Sequence, residues 1–103
     1  MKILITGDRR WNDIDTIKSE LSKYDINNDS IIVHTKQGAS LIGYVAAQQL
    51  GFSCEQVESN ELGDLVLAFH NYIRGSKQTM DIILKCNELK IPYKIIEFTR
   101  SKE

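Results

Sequence analysis

Lys2-Ile3-Leu4-Ile5-Thr6-Gly7-Asp8-Arg9-Arg10-Trp11 is a short, β-branched apolar run that stops on a glycine and two arginines. A run of that length without polar alternation reads as a strand buried on both faces, hence one inside a parallel sheet. The downstream residues fit such a sheet. From Asn12 or Asp13, either a good N-cap, Ile14, Ile17, Leu21 and Tyr24 recur at helical spacing until Asn27-Asn28-Asp29 breaks the pattern. Ser30 to His34 is a second strand. Leu41, Ile42, Val45, Ala46 and Leu50 mark a second helix, with Gly51 placed to close it. Phe52 to Glu58 alternates weakly as an edge strand, and Asp64 to Phe69 is again a buried one. A third helix carries Ile82, Ile83, Cys86 and Leu89 on its inner face, and Pro92 separates it from a last strand, Tyr93 to Phe98.

Strands alternating with helices are βαβ units. The expected architecture is therefore a three-layer α/β/α Rossmann-like domain with a mainly parallel sheet of four to five strands. It occupies residues 1–98 as one domain, and 99–103 form a polar tail. A chain of 103 residues has no room for a second core, and 42% hydrophobic with 26% charged residues is ordinary globular composition. One feature of the strand pattern conflicts with a regular sheet. In the order 3-2-1-4-5 the third and fourth strands stand roughly 14 Å apart, and a five-residue strand adds a return of about 17 Å. Glu58 to Gly63 reaches only about 20 Å when extended. The spacing therefore predicts that Phe52 to Glu58 is displaced, pairs unusually or is exchanged with a partner chain.

No apolar run approaches the ~20 residues of a membrane span, and residues 1–6 do not read as a signal peptide. Cys54 and Cys86 are too few for a disulfide scaffold or a zinc site, and read as core thiols of a cytoplasmic protein. The net charge of −1 argues against general nucleic-acid or membrane-surface binding. That average conceals an asymmetry. Thr6 to Asn12, His34 to Ser40 and His70 to Thr79 hold Arg9, Arg10, Lys36, Arg74 and Lys77 against the single acid Asp8, leaving eight basic and thirteen acidic residues elsewhere. All three stretches come after a strand and before a helix, which puts them at the carboxyl end of the sheet, where open α/β folds bind ligands. A small anionic ligand is expected there.

Gly7 allows a tight turn whose amides can face an anion, with Arg9 adding a bidentate contact; a plain turn with solvated arginines is the other reading. Gly75-Ser76-Lys77-Gln78-Thr79 can gather amides, hydroxyls and an ammonium at the start of the third helix, or Ser76 can serve only as its N-cap. His34 and His70 each end a strand, either to touch a ligand or to close the strand by a backbone hydrogen bond. Trp11 can stack on a base or pack over a helix. Neither the dinucleotide glycine fingerprint nor a Walker motif is present. No metal-ligand spacing, nucleophile elbow or paired carboxylates can be read, so no catalytic residue, metal or cofactor is assigned. Of the acids in the three stretches and the helix after them, only Asp8 and Asp81 stand where they could assist a reaction.

Ile3-Leu4-Ile5-Thr6-Gly7-Asp8-Arg9-Arg10-Trp11-Asn12-Asp13 resembles the opening of the short YspA-like branch of the SLOG superfamily, where T-G-S-R-x-W-x-D is usual. Val33-His34 with Gln37-Gly38-Ala39 is similar to that branch's V-H-G-G-A-x-G-A-D loop. Leu67-Ala68-Phe69-His70, Ser76-Lys77-Gln78-Thr79 and Ile91-Pro92 are similar to its A-F-H, S-K-G-T and G-I-P segments. The resemblance spans most of the chain. It implies a Rossmann-like fold binding a nucleotide or ADP-ribose derivative through Gly7, Asp8, Arg9, Trp11, His34, Lys36, Gly38, His70, Gly75, Ser76, Lys77 and Thr79, in a homodimer or higher homo-oligomer. The LOG relatives cleave phosphoribose from cytokinin nucleotides. This chain departs from their P-G-G-x-G-T-x-x-E motif: Asn71-Tyr72 and Gln78 interrupt it, and no glutamate follows Thr79 at that spacing. Thr35-Lys36 also replaces paired glycines. Binding without cleavage is the expectation, with a phosphoribohydrolase-type N-glycosidase as the alternative.

Overall fold

The computed structural model describes residues 1–11, 13–70 and 77–96, with the side chains of Lys77 and Gln78 excepted. Five strands and three helices succeed one another as β1 (Lys2–Gly7), α1 (Ile14–Leu21), β2 (Ser30–Val33), α2 (Gly38–Leu50), β3 (Ser53–Gln56), β4 (Leu65–Phe69), α3 (Lys77–Leu89) and β5 (Tyr93–Ile96). All strands are parallel, in the order β3-β2-β1-β4-β5. The fold is a small Rossmann-like α/β domain.

Side-chain alternation along the inner strands divides the core in two. Ile3 and Ile5, Ile31 and Val33, and Leu67 and Phe69 face α1 and α2, meeting Ile17, Leu21, Ala46 and Ala47. Leu4, Ile32 and Val66 face the other way, onto Ile82 and Cys86 of α3 and onto Leu62. The ends of the helices result from local chemistry. Asp13 caps α1 by accepting the Thr16 N–H at 3.2 Å, and Gly51 closes α2 in a left-handed conformation. Leu89 departs from expectation. It is 58% exposed, because it lies on the flank of α3 away from the sheet, while Ile82, Ile83 and Cys86 are buried.

The expectation for Phe52 to Glu58 is overturned. β3 is a regular parallel strand of the same chain, in register with β2 from Ser30↔Ser53 to Val33↔Gln56. The strand ends sooner than its sequence pattern implies, so the return runs from residue 57 to residue 64 and crosses the sheet without a helix, as irregular chain with one turn at Ser59-Asn60 closed by the Glu61 N–H on the Glu58 carbonyl at 3.0 Å. Eight residues reach about 26–29 Å, which suffices. Leu62 sinks into the core of that face, and Asp64 pins the far end: its N–H donates to the Lys2 carbonyl at 2.7 Å while its carboxylate accepts the Lys2 N–H at 2.8 Å. One face of the sheet thus carries two helices, and the other carries α3 and a strap. Glu97, Phe98 and the tail lie outside the described residues.

Candidate functional site

Asp8 organises the carboxyl end of the sheet. Its N–H donates to the Phe69 carbonyl at 2.9 Å, and its own carbonyl accepts the N–H groups of Trp11 at 3.1 Å and Ala39 at 2.9 Å. Its carboxylate accepts the Arg10 N–H at 2.9 Å and lies 4.0 Å from His70 Nδ1. One residue therefore ties the turn after β1 to the start of α2 and the end of β4. Two glycines make the approach possible. A Cβ on Gly7, at φ 152°, would run into the Phe69 carbonyl oxygen, and one on Gly38, at φ 54°, would run into the Arg9 backbone. Arg9 and Arg10 are exposed beside this junction. Gln37, the N-cap of α2, makes no side-chain capping bond.

The other expected residues divide. Trp11 is buried: its ring packs on Phe69 at 5.7 Å between centroids, tilted 57°, and its Nε1–H donates to the Asp13 carbonyl at 2.9 Å. It forms a wall and offers no open stacking face. Thr79 is only 1% exposed, in the first turn of α3. Lys36 places its ammonium 4.5 Å over the Tyr44 ring. His70 is buried at the end of β4. His34 makes the strand-closing kind of bond, its Nε2 donating to the Glu61 carbonyl at 2.6 Å and so fastening the strap to the end of β2. Lys77 begins α3, and Arg74, Gly75 and Ser76 lie outside the described residues.

A cavity of about 360 Å³ opens between the strap and α3. His34, Ser59, Asn60 and Leu62 line one side; Asp81, Ile82, Lys85 and Leu89 line the other. The residues of α3 here are one helical stripe, visible in the sequence as Asp81, Lys85 and Leu89 four apart. The strap residues carried no such signal, because their place depends on how the return crosses the sheet. Among the described residues no cluster of His, Cys, Asp or Glu could hold a metal ion, and no helix is long and apolar enough to cross a membrane. Burial pushes the thiols of Cys54 and Cys86 above the ordinary cysteine range, which leaves them poor nucleophiles. Compared with models of known families, with curated proteins and with solved structures, the chain matches none. The likeness to the SLOG superfamily rests on its motifs alone.

Proposed function

We propose that this protein binds a small phosphorylated ligand, a nucleotide or ADP-ribose derivative, in the cytoplasm and holds it without cleaving it. The observation that carries this reading is where the junction around Asp8 lies. In the order β3-β2-β1-β4-β5 the chain leaves β1 toward one edge and later returns to build the other, so the direction of winding reverses between β1 and β4. Open α/β sheets bind ligands at the carboxyl side of that reversal. Gly7 and Phe69 are paired there, with Arg9 against the start of α2 and His70 beside Asp8. In this reading Gly7 and Arg9, with Gly75, Ser76 and Lys77 from the approach to α3, hold phosphate, and His34 and His70 shape the remainder. The resemblance to the YspA-like branch supports the same ligand class.

Calorimetry with nucleoside monophosphates and ADP-ribose tests the proposal. Arg9→Ala and Lys77→Ala should each weaken binding by about 1.5–3 kcal/mol, the cost of losing hydrogen bonds to a charged group. Lys90→Ala, beyond the far end of α3, should change it little. Equal small effects at all three positions would reduce the site to a diffuse field. One observation favours the hydrolytic alternative: Asp81 lines the same cavity as His34. Chromatography after prolonged incubation with excess protein separates the readings. The nucleotide should emerge intact; free base that disappears in Asp81→Asn would make the protein an N-glycosidase.

A further inference from the structure

We infer that the cavity between the strap and α3 is a binding site for an uncharged planar heterocycle, a nucleobase in chemical class. The inference rests on the proposed reading for its phosphate end, and on the cavity for everything else. A volume of about 360 Å³ is at the lower end of the range for small-molecule sites. The fold keeps it open for a structural reason. The return from β3 to β4 has no helix, so beside α3 only an irregular segment with a turn at Ser59-Asn60 covers the sheet.

The lining sets the ligand class. Leu62 and Ile82 are core residues that form an apolar floor, and Leu89 stands at the rim more than half exposed. Ser59 and Asn60 line it from the strap and Asp81 and Lys85 from the helix, so the side chains around that floor include a hydroxyl, an amide, a carboxylate and an ammonium. Asp81 and Lys85 are one turn apart, yet neither makes an ion pair or side-chain hydrogen bond among the described residues. Their charges cancel, and the His34 Nε2 is committed to the Glu61 carbonyl. The cavity is therefore neutral overall, unsuited to a phosphate, and furnished with donors and acceptors on opposite walls of an apolar slot. A flat ring with both kinds of group on its edge satisfies those walls. His34 follows β2 and Asp81 lies in the first turns of α3, so this part of the lining belongs to the carboxyl end of the sheet, and a base here leaves its phosphate on the side of the cationic loops.

Titrations of nucleosides, ribose 5-phosphate and the matching nucleotides, followed by NMR and calorimetry, test this with the full chain. Nucleosides should bind without any phosphate. Leu89→Trp, which fills the rim from an exposed position, should abolish that binding, and Asp81→Asn should weaken it about tenfold or more. Circular dichroism should show both variants folded. If nucleotides and ribose 5-phosphate bind equally well and neither substitution matters, the cavity is not the base site, while the phosphate reading stands. If nucleosides bind as tightly as nucleotides, the phosphate reading fails and the cavity site remains. If none binds, both are overturned.

Discussion

Glu20 is a buried carboxylate on the inner side of α1, and three residues converge on it. Lys94 of β5 donates at 2.8 Å, Lys23 at 3.1 Å and the Tyr24 hydroxyl at 3.4 Å. Burial by itself would raise the Glu20 pKa, but the hydrogen bonds and charges of Lys94 and Lys23 outweigh it and hold the group below its ordinary 4.5. Because the folded value is the lower one, these contacts stabilise the fold fully above the ordinary glutamate range. That stability is lost as the pH falls from there through the folded value. Lys94→Met should lower the urea midpoint at pH 7, though modestly, because Lys94 is half exposed and Lys23 remains on the carboxylate. Urea melts repeated at pH 3 should show the gap between variant and parent closing in acid. A second residue-scale test is Gly38→Ala. Its methyl would strike the Arg9 backbone at a φ that disfavours side chains, so a loss of about 1–3 kcal/mol is expected in the same melts. Ligand affinity should fall with it, since the start of α2 and the arginine turn must then separate.

Among the elements, α3 and the strap share a face that elsewhere in the fold needs two helices. Leu62 is the strap's anchor in the core, so Leu62→Ala should destabilise by about 2–4 kcal/mol. Leu89→Ala, at an exposed position, should be near neutral in denaturant melts. These elements also show what the sequence made legible. β1, β2 and β4 were readable because parallel central strands are apolar on both faces, and α1 and α2 because their caps and periodicity agree. The placement of β3 was not readable, since a weakly alternating edge strand does not reveal where it ends, and two residues decide whether the return fits. Leu89 was misread for a related reason: helical spacing gives a stripe, and the width of that stripe depends on what packs beside it. At the site, the glycine turn after β1 was legible as spacing, and the two exposed arginines beside it as charge. The burial of Trp11 and Thr79 is a matter of packing, as is the cavity, whose strap wall is tertiary in origin.

Across the whole molecule, exposed apolar side chains are unevenly distributed. Met80, Leu84, Leu89, Tyr93 and Ile95 are exposed and all belong to α3 and β5, the thinly covered side; Leu84 and Leu89 are the most exposed, at 59% and 58%. The simplest cover for such a side is a second copy of the chain about a two-fold axis, centred on Leu84. A homodimer is therefore the expected state. Light scattering should give about twice the 11.8 kDa chain mass, and Leu84→Glu should return it to one chain. A concentration-independent single-chain mass in the parent protein would remove the dimer.

The strap also bears on the order in which the chain can fold. Residues 1–56 pair only with near neighbours in sequence, β1 with β2 and β2 with β3, and can zip up progressively. β4 must instead find β1 across some sixty intervening residues, from Gly7↔Phe69 to Ile3↔Leu65. Loop closure of that kind is the slow, entropically costly event in small α/β domains. Here it has little slack, because a return of eight residues, with a turn among them, must cross the sheet. The rate-limiting barrier of refolding should therefore lie at the docking of Leu62 and Asp64, and slackening the strap by inserted glycines should alter the folding rate more than the unfolding rate.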